Sequence, residues 1–438
     1  MSFDMTARFC ADLPAPEPRW QQPPRYSFVG GHNDAASVPF TGLAEAAVAA
    51  LRREGPALAT YNLGGSPQGY EPLRSFIAEG LRARAGLADD AESVLITSGS
   101  LQALDLVNGL LLEPGDTVMV EQATYGGMLS RLARLGVRVL GAALDAEGII
   151  PERLDAQLQE LAAAGVAPKY FYTIPTVQNP TGSVMPLPRR LALLEVCRRH
   201  DLAIFEDDCY ADLRWSGNRP PALRALDQQH RAGAPGGSVS AGSGSAGPGS
   251  GSPGSGGLES GGRGSGGSGS GGGQVIYCGS FSKSIAPALR VGYIVADWPV
   301  LSAMMALKTD AGSGALEQLV VADYAAAHFD DHVARLSEVL RAKCEVMCDA
   351  VRTSFGADAV FDEPQGGIFL WLTLPEGTDT SVLAGPALAA GVEFNPGAGW
   401  SADPQWGRRR LRLCFGHPDH QTIRDGVAVL AEVYRAHR

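Results

Sequence analysis

The sequence lacks the features that would tie it to a membrane, a nucleic acid or an oxidising compartment. No run of 18 or more apolar residues occurs, so no segment can cross a bilayer as a helix. No basic run exceeds Arg408-Arg409-Arg410, and 36 basic residues against 47 acidic ones give a net charge of −11, which argues against a nucleic-acid surface. The first 24 residues carry Asp4, Asp12 and Glu17 among prolines and have no apolar core of a signal peptide. Seven cysteines without framework spacing fit a reducing compartment better than a disulfide scaffold. The expectation is a cytoplasmic protein. Its 438 residues are too many for one ordinary domain, and 45% hydrophobic against 19% charged residues excludes global disorder.

One tract stands apart. Residues 232–273 contain 20 glycines and 11 serines, with no aromatic side chain. Such a segment cannot bury enough surface to offset its ordering entropy, so a surface loop with an r.m.s. span of about 35 Å is expected. Elsewhere short β-rich runs alternate with helical stretches. The strands expected are Val94–Thr97, Thr117–Val120, Val137–Leu140, Tyr170–Ile174, Leu202–Phe205, Val275–Cys278 and Val291–Val295. Between them lie helical patterns at Leu101–Leu112, Met128–Leu135, Pro151–Ala164 and Pro186–His200. Near-continuous apolar strands separated by helices predict an α/β fold, a mainly parallel sheet covered on both faces. Past residue 310 the texture changes to a long helical region (Ala315–Ser354), short strands at Gly367–Leu374 and Leu411–Phe415, and a closing helix. This predicts a large domain over 61–310 and a smaller α+β domain over 311–438, joined by the segment 1–60.

The sharpest chemical signal is the string from Ser280 through Ser282-Lys283 to Leu289-Arg290-Val291-Gly292. Lys283 follows an apolar strand and has no carboxylate close in sequence. An enclosed lysine loses part of its preference for the charged form, and a neutral amine can condense with an aldehyde. Arg290 and the serines supply hydrogen bonds suited to a phosphate. Upstream, an apolar strand delivers Glu206-Asp207-Asp208 and then Tyr210, at the strand end where open α/β sheets place ligands. Successive side chains alternate faces, so three consecutive acids do not converge on a metal. Ser98-Gly99-Ser100-Leu101-Gln102 joins a strand to a helix start, a ready anion site. Tyr125 follows another strand and could stack on a planar ring, although taken by itself core packing explains it better. Asn179, before Pro180, is either a turn residue or a donor to a ring oxygen. Near the C-terminus, Arg410 and Arg412 share one face of a β-like run and Leu411 and Leu413 the other. A strand-held guanidinium suits bidentate capture of a carboxylate. Arg408 and Arg409 fit a solvated edge strand, and His332 a helix cap or surface decoration.

Together these pieces resemble the fold-type I pyridoxal-phosphate enzymes, in particular class I/II aminotransferases. The flavour is that of the 2-aminoadipate/kynurenine group, related to the catalytic domain of MocR-type regulators. The resemblance runs from about Gly30 to the C-terminus, broken only by the Gly/Ser tract. It implies a three-layer mainly parallel large domain with a smaller α+β domain, and pyridoxal 5′-phosphate as cofactor. Lys283 resembles the lysine that anchors the cofactor and shuttles the proton, and Asp207 the partner of the ring nitrogen. Tyr210 and Asn179 resemble the pair that bonds the ring oxygen, and Tyr125 the stacking aromatic. Ser100, the Leu101 amide, Gln102, Ser280, Ser282 and Arg290 resemble the phosphate cup. Tyr61 resembles a tyrosine that reaches the neighbouring subunit's phosphate, which implies a homodimer. Arg412 resembles the α-carboxylate clamp, and Gly31 the glycine that approaches substrate. Residues 30–39 and the turn Gly397-Ala398-Gly399-Trp400 depart from the family pattern, and both bear on specificity.

The expected reaction is transfer of an amino group from an L-amino acid to a 2-oxo acid, 2-oxoglutarate foremost, by a ping-pong mechanism. No metal is expected. A lyase, decarboxylase or racemase on the same scaffold is the alternative within enzymology. A MocR-like effector-sensing module is another, and it would need a winged-helix region ahead of Tyr26.

Overall fold

The computed structural model describes residues 3–10, 13, 16–233 and 272–438. All but the ends of the Gly/Ser tract, and the loop expected there, lie outside the described residues.

Seven strands build the main sheet: β1 (Val94–Thr97), β2 (Thr117–Glu121), β3 (Arg138–Ala142), β4 (Tyr170–Thr173), β5 (Ala203–Asp207), β6 (Val275–Ser280) and β7 (Gly292–Val295). Their spatial order is β1-β7-β6-β5-β4-β2-β3. Only β7 runs antiparallel to its two neighbours, and the other pairs are parallel. The strands are buried on both faces, which explains their unbroken apolar runs. Alternation divides them between two cores. Val118, Tyr170, Tyr172 and Phe205 pack on one side with Leu104, while Met119, Phe171 and Ile204 pack on the other with Leu193.

A second, three-stranded antiparallel sheet has the order β8 (Phe369–Thr373), β10 (Arg410–Cys414), β9 (Asn395–Pro396). The strand that carries Arg412 is therefore central, not the solvated edge expected from its charge. Arg408 and Arg409 fall just before it. Leu411 and Leu413 are fully buried, and the backbone on each side is paired, so Arg412 points from an element that cannot shift alone. Tyr26–Ser27 pairs in parallel with Val392–Glu393, drawing the N-terminal segment into the same core.

The long helical region is one helix of 41 residues, Ala315–Phe355. Its first half packs Val321, Tyr324 and Phe329 beside the main sheet, and its second half packs Leu340, Met347 and Val351 under the three-stranded one. His332 lies mid-helix, 4% exposed, and neither caps nor decorates it. Asp34 at the N-terminal segment meets the same helix through Lys343 Nζ, 2.7 Å from its carboxylate. Helix α1 (Ser100–Leu111) opens after β1 at Gly99, whose φ of +77° favours glycine.

Candidate active site

The C-terminal ends of β1, β2, β4, β5 and β6 converge on a cavity of about 350 Å³, within the range of small-ligand sites. Its walls include Gly31, Ser100, Leu101, Tyr125, Asn179, Asp207, Tyr210, Ser282, Lys283, Arg290 and Arg412. These residues are far apart in the chain and are brought together.

Lys283 lies on the four-residue helical turn that follows the wholly buried β6. Ser280 caps that turn by accepting the Ser282 N–H at 3.0 Å. The Lys283 ammonium donates to the Gly31 carbonyl at 2.6 Å, and among the described residues it has no carboxylate partner. Burial, reinforced by the charges of Arg412 and Arg290, lowers its pKa. A side chain at Gly31 would put its Cβ 2.8 Å from Nζ, so glycine keeps that approach open.

The three consecutive acids separate as strand alternation requires. Asp207 faces the cavity, where the Tyr172 hydroxyl donates to it at 2.6 Å and the Cys209 N–H at 3.3 Å. Glu206 points away and caps the next helix, accepting from the amides of Leu223 and Arg224 at 2.8 and 3.0 Å. Asp208 pairs with Arg219 at 2.7 Å. Burial raises the Asp207 pKa, and the two hydrogen bonds oppose that rise. The thiols of Cys209 and Cys278 lie within 4.8 Å of the Asp207 carboxylate and of each other. Their mutual contact and burial push the Cys209 thiol far up, so it is a neutral neighbour of the carboxylate.

At the other end Arg412, 2% exposed, is held on all sides. It donates to Asn179 Oδ1 at 3.2 Å, and to the Gly30 carbonyl and Asn395 Oδ1 at 2.7 Å each. Its guanidinium carbon sits 3.5 Å from the Trp400 ring centre and 3.9 Å from that of Phe369. Burial without a counter-charge lowers its pKa to about 10. With its oxygen engaged by Arg412, Asn179 keeps its amide N–H groups for a ligand. Tyr210 is 7% exposed and its ring lies 5.4 Å from Phe369. Tyr125 stands beside Trp400, with ring centres 5.8 Å apart. A Cβ at Gly127 would come 2.5 Å from the Tyr125 ring, so glycine is needed there.

The remaining sequence candidates divide. Ser100 and Leu101 present the first amides of α1, which have no partner within the helix. Arg290 crosses Gly99 and bonds Ser282 Oγ at 3.4 Å and the Ser98 carbonyl at 3.3 Å, with no carboxylate among the described residues. A Cβ at Gly99 would meet its guanidinium at 2.2 Å. The Gln102 side chain is turned away from the cavity, accepting from Ser98 N and donating to Asp310. Ser280 is likewise occupied with the Val291 carbonyl at 3.3 Å and its cap. Tyr61 is 81% exposed and does not line the cavity.

Sequence reasoning missed Tyr172, Cys278, Phe369 and Asn395 as cavity neighbours, and it marked the turn of Trp400 for specificity without the contact with Arg412. It also missed Glu121, which is fully buried at the end of β2 and accepts from Thr173 Oγ1, Ile174 N and Gln178 Nε2 at 2.7, 3.2 and 2.9 Å. Glu121 thereby braces the loop that presents Asn179, and burial raises its pKa to about 7. Period-two alternation within β4 could have flagged Tyr172, which shares a face with Tyr170. Nothing local could have flagged Asn395.

The donor set matches an anionic, aromatic aldehyde. It offers a cationic cup of amides, hydroxyl and guanidinium at one end, a carboxylate opposite, an aromatic wall, and an amine that has no carboxylate partner among the described residues. The family model for aminotransferases of class I and II matches residues 35–430. The chain belongs to that family. It is a pyridoxal-phosphate-dependent transaminase. Aromatic-amino-acid aminotransferase 1 of Thermococcus litoralis is 30% identical over 374 residues, 85% of this chain and 79% of that protein. The fold of this transaminase superposes on Thermus thermophilus LysN, an α-aminoadipate aminotransferase complexed with N-(5′-phosphopyridoxyl)-L-leucine, with a TM-score of 0.77. Identity there is 31%, covering 94% of this chain and 92% of that one. The kynurenine aminotransferase of Pyrococcus horikoshii, solved with PMP, gives a TM-score of 0.80 at 29% identity, covering 94% and 91%.

Proposed function

We propose that this transaminase takes the amino group from an L-α-amino acid, releases the 2-oxo acid, and passes the group to 2-oxoglutarate at the same site. The observation that carries the proposal is one cavity lined by a carboxylate, Asp207, a buried guanidinium, Arg412, and an amine, Lys283, that has no carboxylate partner among the described residues. When bound, pyridoxal phosphate supplies an electrophilic carbon and a ring that accepts electrons.

Ser100, the Leu101 amide, Ser282 and Arg290 would hold its phosphate, with Ser280 and the Gln102 side chain bracing the cup. Tyr61 completes the cup of the neighbouring subunit in a homodimer. Asp207 would take the ring nitrogen and keep it protonated. Asn179 and Tyr210 would donate to the ring oxygen, and Tyr125 would cover the ring. Arg412 takes the substrate α-carboxylate and so fixes which substituent of the α-carbon faces Lys283. The Lys283 amine, whose pKa burial lowers, would remove the proton from the substrate α-carbon and hold it for the second proton transfer of the reaction. Gly31 leaves room for the substrate beside that amine. The chain divides into a large domain, 61–310, and a small domain formed by 311–438 with the segment 1–60; it acts in the cytoplasm.

The test is a single half-reaction. Holoenzyme mixed with an amino acid and no acceptor releases one equivalent of the 2-oxo acid per site, then stops until 2-oxoglutarate is added. Continuous release of carbon dioxide or ammonia without acceptor would overturn the proposal in favour of a decarboxylase or lyase.

A further inference from the structure

The Arg412 guanidinium has five N–H groups. Three are spent on Asn179, Gly30 and Asn395, while Nε is buried and has no partner among the described residues. No carboxylate among the described residues balances the charge. Two aromatic rings take that place, Phe369 from β8 and Trp400 from the turn after β9. The two differ in how they are held. Phe369 is fixed in the strand paired with β10. Trp400 belongs to the turn 397–402, which is sewn to the turn carrying Tyr125: Thr124 N donates to the Trp400 carbonyl at 3.0 Å, and Ala402 N to the Gln122 carbonyl at 2.9 Å. Gly126 fits so closely that a Cβ there would lie 2.6 Å from the Gly399 carbonyl. The indole thus stands between Tyr125, 5.8 Å away, and Arg412, 3.5 Å away.

We propose that Trp400 is a positioning residue for substrate carboxylates, acting through Arg412: its ring face holds the guanidinium flat, charged and aimed into the cavity, and its turn ties that aim to Tyr125. The inference rests on the reading of Arg412 as the carboxylate clamp. A face of π electrons offsets part of the desolvation of a buried cation without occupying its N–H groups, as a carboxylate partner would. The site can therefore keep the arginine buried with no carboxylate partner among the described residues and still leave one Nη1 N–H unspent for the incoming anion. Specificity follows, because a ligand without a carboxylate gains nothing from this arrangement.

The experiment uses holoenzyme of the full chain with Trp400→Leu, which keeps apolar bulk and loses the ring face, and Trp400→Phe, which restores a ring. Calorimetric binding of 3-phenylpropionate, an unreactive carboxylate, is expected to weaken about tenfold in Trp400→Leu and less than threefold in Trp400→Phe. The KM for L-phenylalanine should rise by about the same factor, while kcat stays within about threefold. The half-reaction with 2-phenylethylamine, which lacks the carboxylate, should change less than twofold. In an Arg412→Leu background, Trp400→Leu should have no further effect on 3-phenylpropionate. Unchanged 3-phenylpropionate binding in Trp400→Leu overturns the inference, as does an equal loss for amine and amino acid. If the unsubstituted holoenzyme releases no 2-oxo acid from any donor, it is the proposed function that fails, and the binding measurement still decides the role of Trp400.

Discussion

The two ends of the cavity are built by opposite means. At the cofactor end the polar groups come from residues at or just past strand ends: Ser100 and Leu101 after β1, Asp207 closing β5, Ser282 and Lys283 after β6. At the substrate end a single side chain, Arg412, is gripped by Gly30, Asn179, Asn395, Phe369 and Trp400, which come from segments scattered along the chain. The first end inherits its geometry from a parallel sheet, whose strand ends point one way. The second exists only when the three-stranded sheet and the N-terminal segment are docked. The cofactor end should therefore fail in chemistry when altered, and the substrate end in recognition.

The sharpest way to break this contrast is Lys283→Ala. Turnover is expected to fall by at least about 10³-fold, since both the anchoring amine and the proton carrier are lost. Steady-state assay measures the loss, and mass spectrometry after borohydride treatment should find no cofactor adduct at position 283. Near-normal turnover would remove Lys283 from the mechanism. Asp207→Ala acts at the same end, and kcat should drop about 10²–10³-fold with a smaller change in KM. Arg412→Leu tests the other end. Removing one partner of a buried charged contact costs about 2–5 kcal/mol, so kcat/KM for an amino acid should fall about 30-fold or more, mostly through KM. A fall confined to kcat would erase the distinction between the two ends.

The same contrast explains what could be read from the sequence. The parallel sheet was legible because strands buried on both faces show as apolar runs, and Asp207 because alternation leaves only one of three consecutive acids facing the cavity. Lys283 and Arg290 were legible because the one short segment between β6 and β7 carries both. Gln102 and Ser280 sit in the right strings but spend their side chains on Asp310 and on the cap of the Lys283 turn, and a string does not say which way a rotamer faces. The edge-strand reading of Arg408 and Arg409 failed because strand order is a tertiary property, and β10 turned out to be central. Asn395 was opaque, and the turn of Trp400 was legible only as a place for specificity, for a stronger reason. Their partner is Arg412, and only the folded chain brings the three together.

Tyr172→Phe sharpens the comparison with a milder change at the cofactor end. Its hydroxyl donates to Asp207 at 2.6 Å and favours the carboxylate form. Without that bond the Asp207 pKa rises, so activity that is lost as pH falls should be lost at a higher pH than in the unsubstituted enzyme. A hydrogen bond to a charged group contributes about 1.5–3 kcal/mol, which bounds the shift at roughly one to two pH units. An unmoved acid limb in the pH–rate profile would show that Tyr172 serves packing alone.

The smallest effect is expected at Glu121, which belongs to neither end but braces the loop from which Asn179 reaches Arg412. Burial raises its folded pKa from 4.5 to about 7. The unfolded chain therefore releases this proton first as pH rises, so unfolding is favoured progressively between about pH 4.5 and 7 and the group contributes no further slope above that window. Glu121→Gln removes the titration while keeping an oxygen for the Thr173 hydroxyl or the Ile174 amide. Its thermal midpoint should fall less than that of the unsubstituted protein across this pH range, even if it starts lower because one acceptor has become a donor. Parallel pH dependence of the two midpoints, followed by calorimetry, would mean that Glu121 stays ionised when buried and that the loop is held by charge.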